Sequence, residues 1–405
     1  MRIIDLFSGC GGLSLGFQSA GHEIVGAYDF WEPAIDCYKD NFEHPIQKLD
    51  LSNVDDAIKE ISKFDFDMII GGPPCQDFSH AGLRVEGERA NLTLSFAEIV
   101  KTFKPKWFVM ENVDRALKSS TYSVVRSIFK DAGYGITEVV LDASKCGVPQ
   151  RRKRLFVIGS LGYNDDFISN VIIEMKNKSS MTVRDYFGNE LDIEYYYRHP
   201  RNYNRRGVFS IDEPAPTIRG VNRPIPNGYT GHSGDPVNIN ENVRPLTTEE
   251  RARIQTFPKC FKFKGTKTNL EQMIGNAVPV ELAKFVANAI NKFTYENNDM
   301  NDESIYKDSF RDWLKNNKGL TRKSVNDVIS RFNRANSFFG DKRANFLEEP
   351  LDEILMKLER LESFQSLSVC LKSQLRRSFK LYSDFSHSYD SHIHAKIGVA
   401  SKFGI

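Results

Sequence analysis

The first 165 residues alternate short apolar runs with amphipathic segments, and this alternation constrains the fold more than any other feature. Ile3-Ile4-Asp5-Leu6, Glu23-Ile24-Val25-Gly26-Ala27-Tyr28, Asp67-Met68-Ile69-Ile70, Trp107-Phe108-Val109-Met110 and Leu155-Phe156-Val157-Ile158-Gly159 read as buried strands. Segments 93–103 and 120–132 read as helices. Strands interleaved with helices predict a doubly wound α/β sheet. Such sheets carry their chemistry in the loops beyond the carboxyl ends of the strands. At 405 residues the chain exceeds one simple core and should hold two or three domains.

Three of those loops are chemically informative. The first strand runs into Phe7-Ser8-Gly9-Cys10-Gly11-Gly12 and then a helix with apolar Leu13, Gly16 and Phe17. That layout lets backbone N–H groups approach a ligand, although glycines in such turns also serve sterics alone. The second strand ends at Asp29-Phe30, where a carboxylate suits ribose hydroxyls and a ring suits stacking on adenine. A further carboxylate, Asp50, ends the segment Gln47-Lys48-Leu49. The third loop is Gly71-Gly72-Pro73-Pro74-Cys75-Gln76, in which two prolines stiffen the approach to a thiol. Cys75 is either a nucleophile or a small buried hydrophobe. Further on, Arg152 and Arg154 precede an apolar strand at a spacing of two, so they face one side while Arg151 and Lys153 face the other.

The motifs Asp5-Leu6-Phe7-Ser8-Gly9-Cys10-Gly11-Gly12, Pro73-Pro74-Cys75-Gln76, Glu111-Asn112-Val113, Gln150-Arg151-Arg152-Lys153-Arg154, Arg244-Pro245-Leu246-Thr247 and Gly275-Asn276-Ala277-Val278-Pro279 occur in that order. Together they resemble the DNA cytosine-5 methyltransferase family of the prokaryotic restriction-modification type, over residues 1–297. The resemblance implies an α/β fold with a Rossmann-like class I methyltransferase sheet, a small irregular target-recognition domain and, added here, a C-terminal helical domain. It implies S-adenosylmethionine as methyl donor and a cytosine in duplex DNA as substrate. Cys75 would add to C6, making C5 nucleophilic. Glu111 would serve N3 and the exocyclic amine, Arg154 the O2 region, and Arg152 a phosphate or the catalytic loop. Taken by itself, Glu111 also reads as a helix cap, and the arginines as a generic basic patch.

The resemblance further assigns the donor pocket to Phe7, Gly9, Gly11, Leu13, Asp29, Phe30, Asp50, Leu51 and Asn276. Phe30 stands where the family often has tryptophan, and Trp31 follows it, so the register of the stacking ring is open. A helix over 280–290, with the stripe Leu282, Phe285, Val286 and Ile290, would return to complete this pocket. Residues 76–91, with Gln76, Ser79 and Arg84, read as a loop closing over a cytosine rotated out of its duplex.

The expected domains are 1–175 catalytic, 176–260 target recognition, 261–297 a return segment, and 298–405 a helical extension. Residues 176–245 are rich in Arg, Asn, Tyr, Gly and Pro, which suits base edges and phosphates rather than a large core. Thr217-Ile218 resembles the family's recognition signature, and Thr217, Ile218 and Arg219 are expected at the DNA. Glu249 to Thr256 reads as a helix capped at Thr247-Thr248. Asn297 to Asp302 reads as a polar linker, followed by helices near 304–317, 321–338, 350–363 and 366–384. Phe310-Arg311-Asp312-Trp313-Leu314 with Gly319-Leu320-Thr321 faintly resembles the helical core-binding domain of tyrosine recombinases.

A net charge of +2 leaves DNA binding to local patches. Six scattered cysteines without a Cys-x-x-Cys pair argue against a zinc site or a disulfide framework. Asp5 interrupts the first apolar run, so no signal peptide is expected, and no stretch reaches membrane-spanning length. These features fit a cytoplasmic bacterial enzyme, monomeric on DNA, with a restriction endonuclease acting at the same site as a family-based expectation. Two other readings are a tRNA cytosine-5 methyltransferase, whose Cys-Phe-Thr signature is missing, and a catalytically silent DNA-binding relative.

Overall fold

A computed structural model describes residues 1–74, 91–202, 204–339 and 349–400, with backbone alone at 91, 298–309 and 387–400. Cys75, Gln76, Ser79 and Arg84 lie outside the described residues. The chain divides into two compact units, Met1–Phe293 and Thr294–Ile405.

The first unit begins with β1 (Arg2–Leu6), α1 (Gly12–Ser19), β2 (Glu23–Asp29), α2 (Glu32–Lys39), β3 (Ile46–Lys48), α3 (Val54–Ile61) and β4 (Met68–Gly71). It continues with α4 (Asn91–Phe103), β5 (Trp107–Asn112), α5 (Ser120–Asp131), β6 (Tyr134–Asp142), β7 (Gln150–Arg151) and β8 (Lys153–Leu161). Seven strands form one sheet in the order β3-β2-β1-β4-β5-β8-β6. β3 to β5 run parallel, whereas β8 is antiparallel to both β5 and β6. The doubly wound α/β sheet expected from the alternation is therefore present, with an antiparallel edge.

Period-two alternation explains how both sheet faces are covered. Ile3, Ile70, Trp107, Val109, Phe156 and Ile158 meet Leu13 and Phe17 of α1 and Leu282, Val286 and Ile290 near the chain's return. Their neighbours Ile4, Ile69, Phe108, Met110, Leu155 and Val157 meet α3, α4 and α5 through Ala57, Phe96 and Phe129. The chain winds from β1 out to β3, then returns to β1's other side at β4. The switch point between β1 and β4 is where such sheets open a crevice.

Next come α6 (Ser169–Met175), α7 (Val183–Phe187), β9 (Tyr195–Tyr197), β10 (Val208–Ser210), β11 (Ala215–Pro216), β12 (Arg244–Pro245), α8 (Thr248–Ile254), α9 (Lys267–Asn276) and α10 (Val280–Asn316). The recognition segment forms only a small sheet, β10-β9-β12. β11 pairs in parallel with β7, stitching the segment to the strand that precedes β8. Thr247 caps α8 in a reciprocal capping box with Glu250, near the expected start. The expected α10 stripe is buried at Leu282, Phe285, Val286 and Ile290.

The polar stretch Asn297 to Asp302 is not a linker but part of α10. No glycine or proline interrupts residues 280–318, and scattered Asn and Asp lower helix propensity without breaking a helix. The second unit continues with α11 (Arg322–Ser337), α12 (Leu351–Glu359), α13 (Glu362–Gln365) and α14 (Val369–Ala400), all helical as the pattern predicts. Among the described residues no helix is long and apolar enough to cross a membrane.

Candidate active site and DNA-binding cleft

Strand register gathers the motif residues. Leu6 pairs with Tyr28 and with Gly71, and Gly71 pairs with Met110. The residues that follow each of these share one edge of the sheet. Phe7 has φ 58, a left-handed conformation uncommon for a bulky residue and a mark of a strained turn. Gly11, φ 95, is the N-cap of α1 and provides no side-chain cap, so the first amides of that helix are uncapped. The Gly9 N–H donates to Asp29 Oδ2 at 2.7 Å and the Trp31 N–H to Oδ1 at 2.8 Å. Asp29 thereby clamps the loops after β1 and β2 together. Burial pushes its carboxyl above the ordinary range, and these hydrogen bonds oppose the shift.

Phe30 is 63% exposed, with Lys48 Nζ 5.7 Å from its ring centroid, whereas Trp31 packs on a core that includes Ala34 and Phe257. The ring presented at this edge is Phe30. Asp50 Oδ1 accepts from Ser52 N (2.9 Å) and Ser52 Oγ (2.7 Å). Leu13 and Leu51 are buried core residues, which leaves their main chain to meet a ligand. Asn276, the last residue of α9, is exposed.

Glu111 near the end of β5 forms an ion pair with Arg154 of β8, Nε to Oε1 2.9 Å. Burial raises the Glu111 carboxyl above its ordinary value, and Arg154 and Arg152 oppose that shift. The next residue, Asn112, donates to Pro73 O at 3.3 Å and accepts from Val113 N at 2.8 Å. It joins the strand that carries Glu111 to the loop that leads into Cys75.

The expected alternation holds, with Arg151 and Lys153 exposed and Arg152 buried. Arg152 donates to the carbonyls of Ile218 (3.1 Å), Gly275 (3.1 Å) and Ala277 (3.2 Å). Its guanidinium is an internal strut between three segments. Beside it Gln150 and Gln255, both fully buried, share a 2.7 Å hydrogen bond. Gln150 Oε1 accepts from Ile218 N (2.8 Å), and Gln255 Nε2 donates to Ile274 O (2.5 Å) and Ala277 O (3.0 Å). A Cβ on Gly275 would lie 2.2 Å from Gly220 N, so only glycine allows the two backbones to touch. The roles of Asn112 and Gln255 were missed in the sequence. The available signal was a glutamine set between Ile254 and Phe257 in an apolar helix end.

A cleft of about 1400 Å³ runs past Arg154 and Asn276 and is lined by Arg115, Arg151, Lys153, Arg201 and Arg205, with Asp114 and Asp142 as its carboxylates. The arginines of the recognition segment fall into two groups. Arg198 donates to Thr217 O (2.8 Å), Arg219 to His199 O, Arg206 to Glu213 and Arg251 to Arg219 O. Arg251 also stands 2.8 Å from Glu271, without an aligned hydrogen bond, so that attraction is Coulombic. Arg201, Arg205 and Arg223 are exposed and have no partner among the described residues. Thr217 spends its hydroxyl proton on Arg151 O (2.8 Å), Ile218 is buried, and Arg219 is held internally. Each of the three residues expected at the DNA thus makes an internal contact, and all three also line the cleft.

The model of the C-5 cytosine-specific DNA methylases matches residues 1–292. The Type II methyltransferase M.HindV of Haemophilus influenzae is 59% identical over 298 residues, 73% of this chain and 98% of that protein. The Type II methyltransferase M.HgiDI of Herpetosiphon aurantiacus is 56% identical over 294 residues, 72% and 95% of the two chains. Among solved structures, the methyltransferase EhMeth of Entamoeba histolytica aligns with a TM-score of 0.55 at 18% identity, over 73% of this chain and 98% of that one. The Dnmt2 methyltransferase of S. pombe aligns with a TM-score of 0.53, also at 18%, over 72% and 98%. The structural likeness speaks to the fold, and the sequence matches to the family. The chain belongs to the C-5 cytosine-specific DNA methylases and is a DNA cytosine-5 methyltransferase.

Proposed function

We propose that the edge shared by β1, β2, β4 and β5 methylates a cytosine rotated out of duplex DNA, through a transient bond between Cys75 and C6. A stacked base offers no face to an attacking sulfur, so extrusion comes first. The Cys75 thiolate adds to C6. Glu111, in its protonated form, donates a proton to N3, so the electron pair released by addition rests in a neutral enamine rather than an anionic ring. The observation that carries this reading is Glu111 itself, raised in pKa, paired with the cleft-lining Arg154 and tied through Asn112 to the loop before Cys75. Arg154 pairs with Glu111 through Nε, and its guanidinium, at the cleft, suits the cytosine O2. C5 then takes the methyl group, which S-adenosylmethionine supplies as an electrophile when bound. Loss of the C5 proton to water and return of the N3 proton to Glu111 restore the double bond and break the C6–S bond.

The residues at the strand edge fit that donor. Asp29 and Asp50 suit the ribose and the adenine edge, the exposed Phe30 ring suits stacking, and the uncapped amides of α1 with the main chain of Phe7, Gly9, Gly11, Leu13 and Leu51 suit its polar end. Asn276 completes the set. In the recognition segment, Arg201, Arg205 and Arg223 meet the DNA, while Arg198, Arg219 and Arg251 brace the segment and Arg152 anchors it from the catalytic part. The enzyme works as a cytoplasmic monomer on DNA, and its mark protects against a restriction endonuclease cutting the same site.

Cys75→Ser tests the mechanism. Methyl incorporation from labelled donor into target duplex should vanish while duplex binding persists, and tRNA should accept no label from the native enzyme. Near-normal product from the variant would remove Cys75 from the reaction.

A further inference from the structure

The second unit lies beyond the residues that match the family, and the chemistry above makes no use of it. Two apolar clusters hold it together. Phe310, Leu314, Val325, Ile329 and Phe385 form one, and Phe332, Leu358, Phe364 and Phe379 belong to the other. α11 and α14 lie side by side, with Phe332 stacked on Tyr382 at 4.1 Å between centroids.

Charge in this unit segregates by helix. α12 and α13 carry Asp352, Glu353, Glu359 and Glu362 against Lys357. α11 carries Arg322, Lys323, Arg331 and Arg334 against Asp327. The described side chains of α14 include Lys372, Arg376, Arg377 and Lys380 against Asp384. Some of these charges are committed. Arg376 pairs with Glu359 at 2.5 Å, and Asp384 pairs with Lys318 at 3.2 Å.

Arg331 and Arg377 are not committed. They reach from facing helices into one groove of about 190 Å³, floored by Leu320, Val328 and Leu381 and edged by Ser324, Gln374 and Ser378. Asp327 is the carboxylate in its lining, and neither guanidinium has a partner among the described residues. Two like charges converging on one groove repel each other, and an anion between them relieves that repulsion. The volume suits a phosphodiester group and not a folded partner. Lys323 and Arg334 of α11 and Lys380 of α14 add further positive charge to the two helices.

We propose that the α11–α14 groove is a second DNA site, binding the phosphate backbone of duplex DNA without regard to sequence. Fused to the methylase, it raises the local concentration of DNA and favours retention on long molecules.

The test uses the full chain and a long duplex that lacks the target site. Each phosphate contact contributes a slope of about −0.9 to log K against log salt. R331A/R377A should lower that slope by about 2, with melting temperature and kcat on saturating target duplex unchanged. R331K/R377K keeps both charges and should keep the slope. An unchanged slope in the alanine variant, or an equal fall in the lysine variant, overturns the proposal. Because kcat on target duplex is measured separately, that result would leave the catalytic reading intact.

Discussion

Two ion pairs of nearly equal length do different work in the catalytic and recognition regions. Glu111 and Arg154 stand 2.9 Å apart at the cleft, with side chains 12% and 17% exposed. Arg251 and Glu271 stand 2.8 Å apart at the root of the recognition segment, 6% and 4% exposed. In the first pair burial raises the carboxyl, and its partner Arg154 lines the cleft. The second is sealed, and Glu271 also accepts from Thr248 Oγ1 at 2.7 Å. The sealed pair has no route to a substrate, and its charges hold backbone in place. Exposure, rather than charge or distance, separates the pair proposed for catalysis from the sealed one.

Breaking each pair should therefore fail in a different readout. Glu111→Gln keeps the shape but cannot deliver a proton, and kcat should fall by about 10²- to 10⁴-fold with little change in melting temperature. In the native enzyme rising pH deprotonates Glu111 and removes the donor, so the alkaline limb of the kcat profile should flatten in this variant. A preserved kcat would place Glu111 among the structural carboxylates.

Arg251→Met leaves Glu271 buried and unpaired, at a cost of about 3–5 kcal/mol. Chemical denaturation should show it. The double variant Arg251→Met/Glu271→Leu should be milder than the single one, because no uncompensated charge remains. Equal losses in the two would mean that the carbonyls of Arg219 and Val221, not Glu271, are what Arg251 serves.

Arg201→Ala and Arg205→Ala sharpen the division within the recognition segment. If either reads a base edge, discrimination at one position of the target should relax by about 1–3 kcal/mol. Sequencing of methylated products from a randomised duplex library measures this. Uniform weakening across sequences would make these arginines phosphate contacts. Smallest of all, Thr247→Ala removes the α8 capping box and should cost about 1 kcal/mol, read as a lower denaturation midpoint with unaltered sequence preference.

The sheet and the strand-end motifs were legible in the sequence because they rest on local rules. Alternating burial on Ile3-Ile4 and Trp107-Phe108, glycine at the left-handed Gly11, and paired prolines before Cys75 each announce their conformation within a few residues. The spacing of Arg151 to Arg154 likewise fixed which of them share a side, though not that Arg152 is buried. The struts were not legible, because their partners are remote. Arg152 meets carbonyls 66 and more residues away, and Gln150 meets Gln255 across 105. The basic character of residues 176–245 pointed to DNA, yet only tertiary contacts separate Arg219, which donates to His199 O, from Arg201, which has no partner among the described residues. The linker expected at Asn297 failed for a related reason, since polarity alone does not end a helix that lacks glycine and proline.

The central claim is a covalent bond between one sulfur and the target base. Duplex carrying 5-fluorocytosine at the target position cannot lose a proton from C5, so the complex should stall after methyl transfer. Peptide mapping of the trapped complex by mass spectrometry should find the methylated nucleotide on Cys75. A cross-link on any other cysteine, or free methylated product with no cross-link at all, would contradict the account.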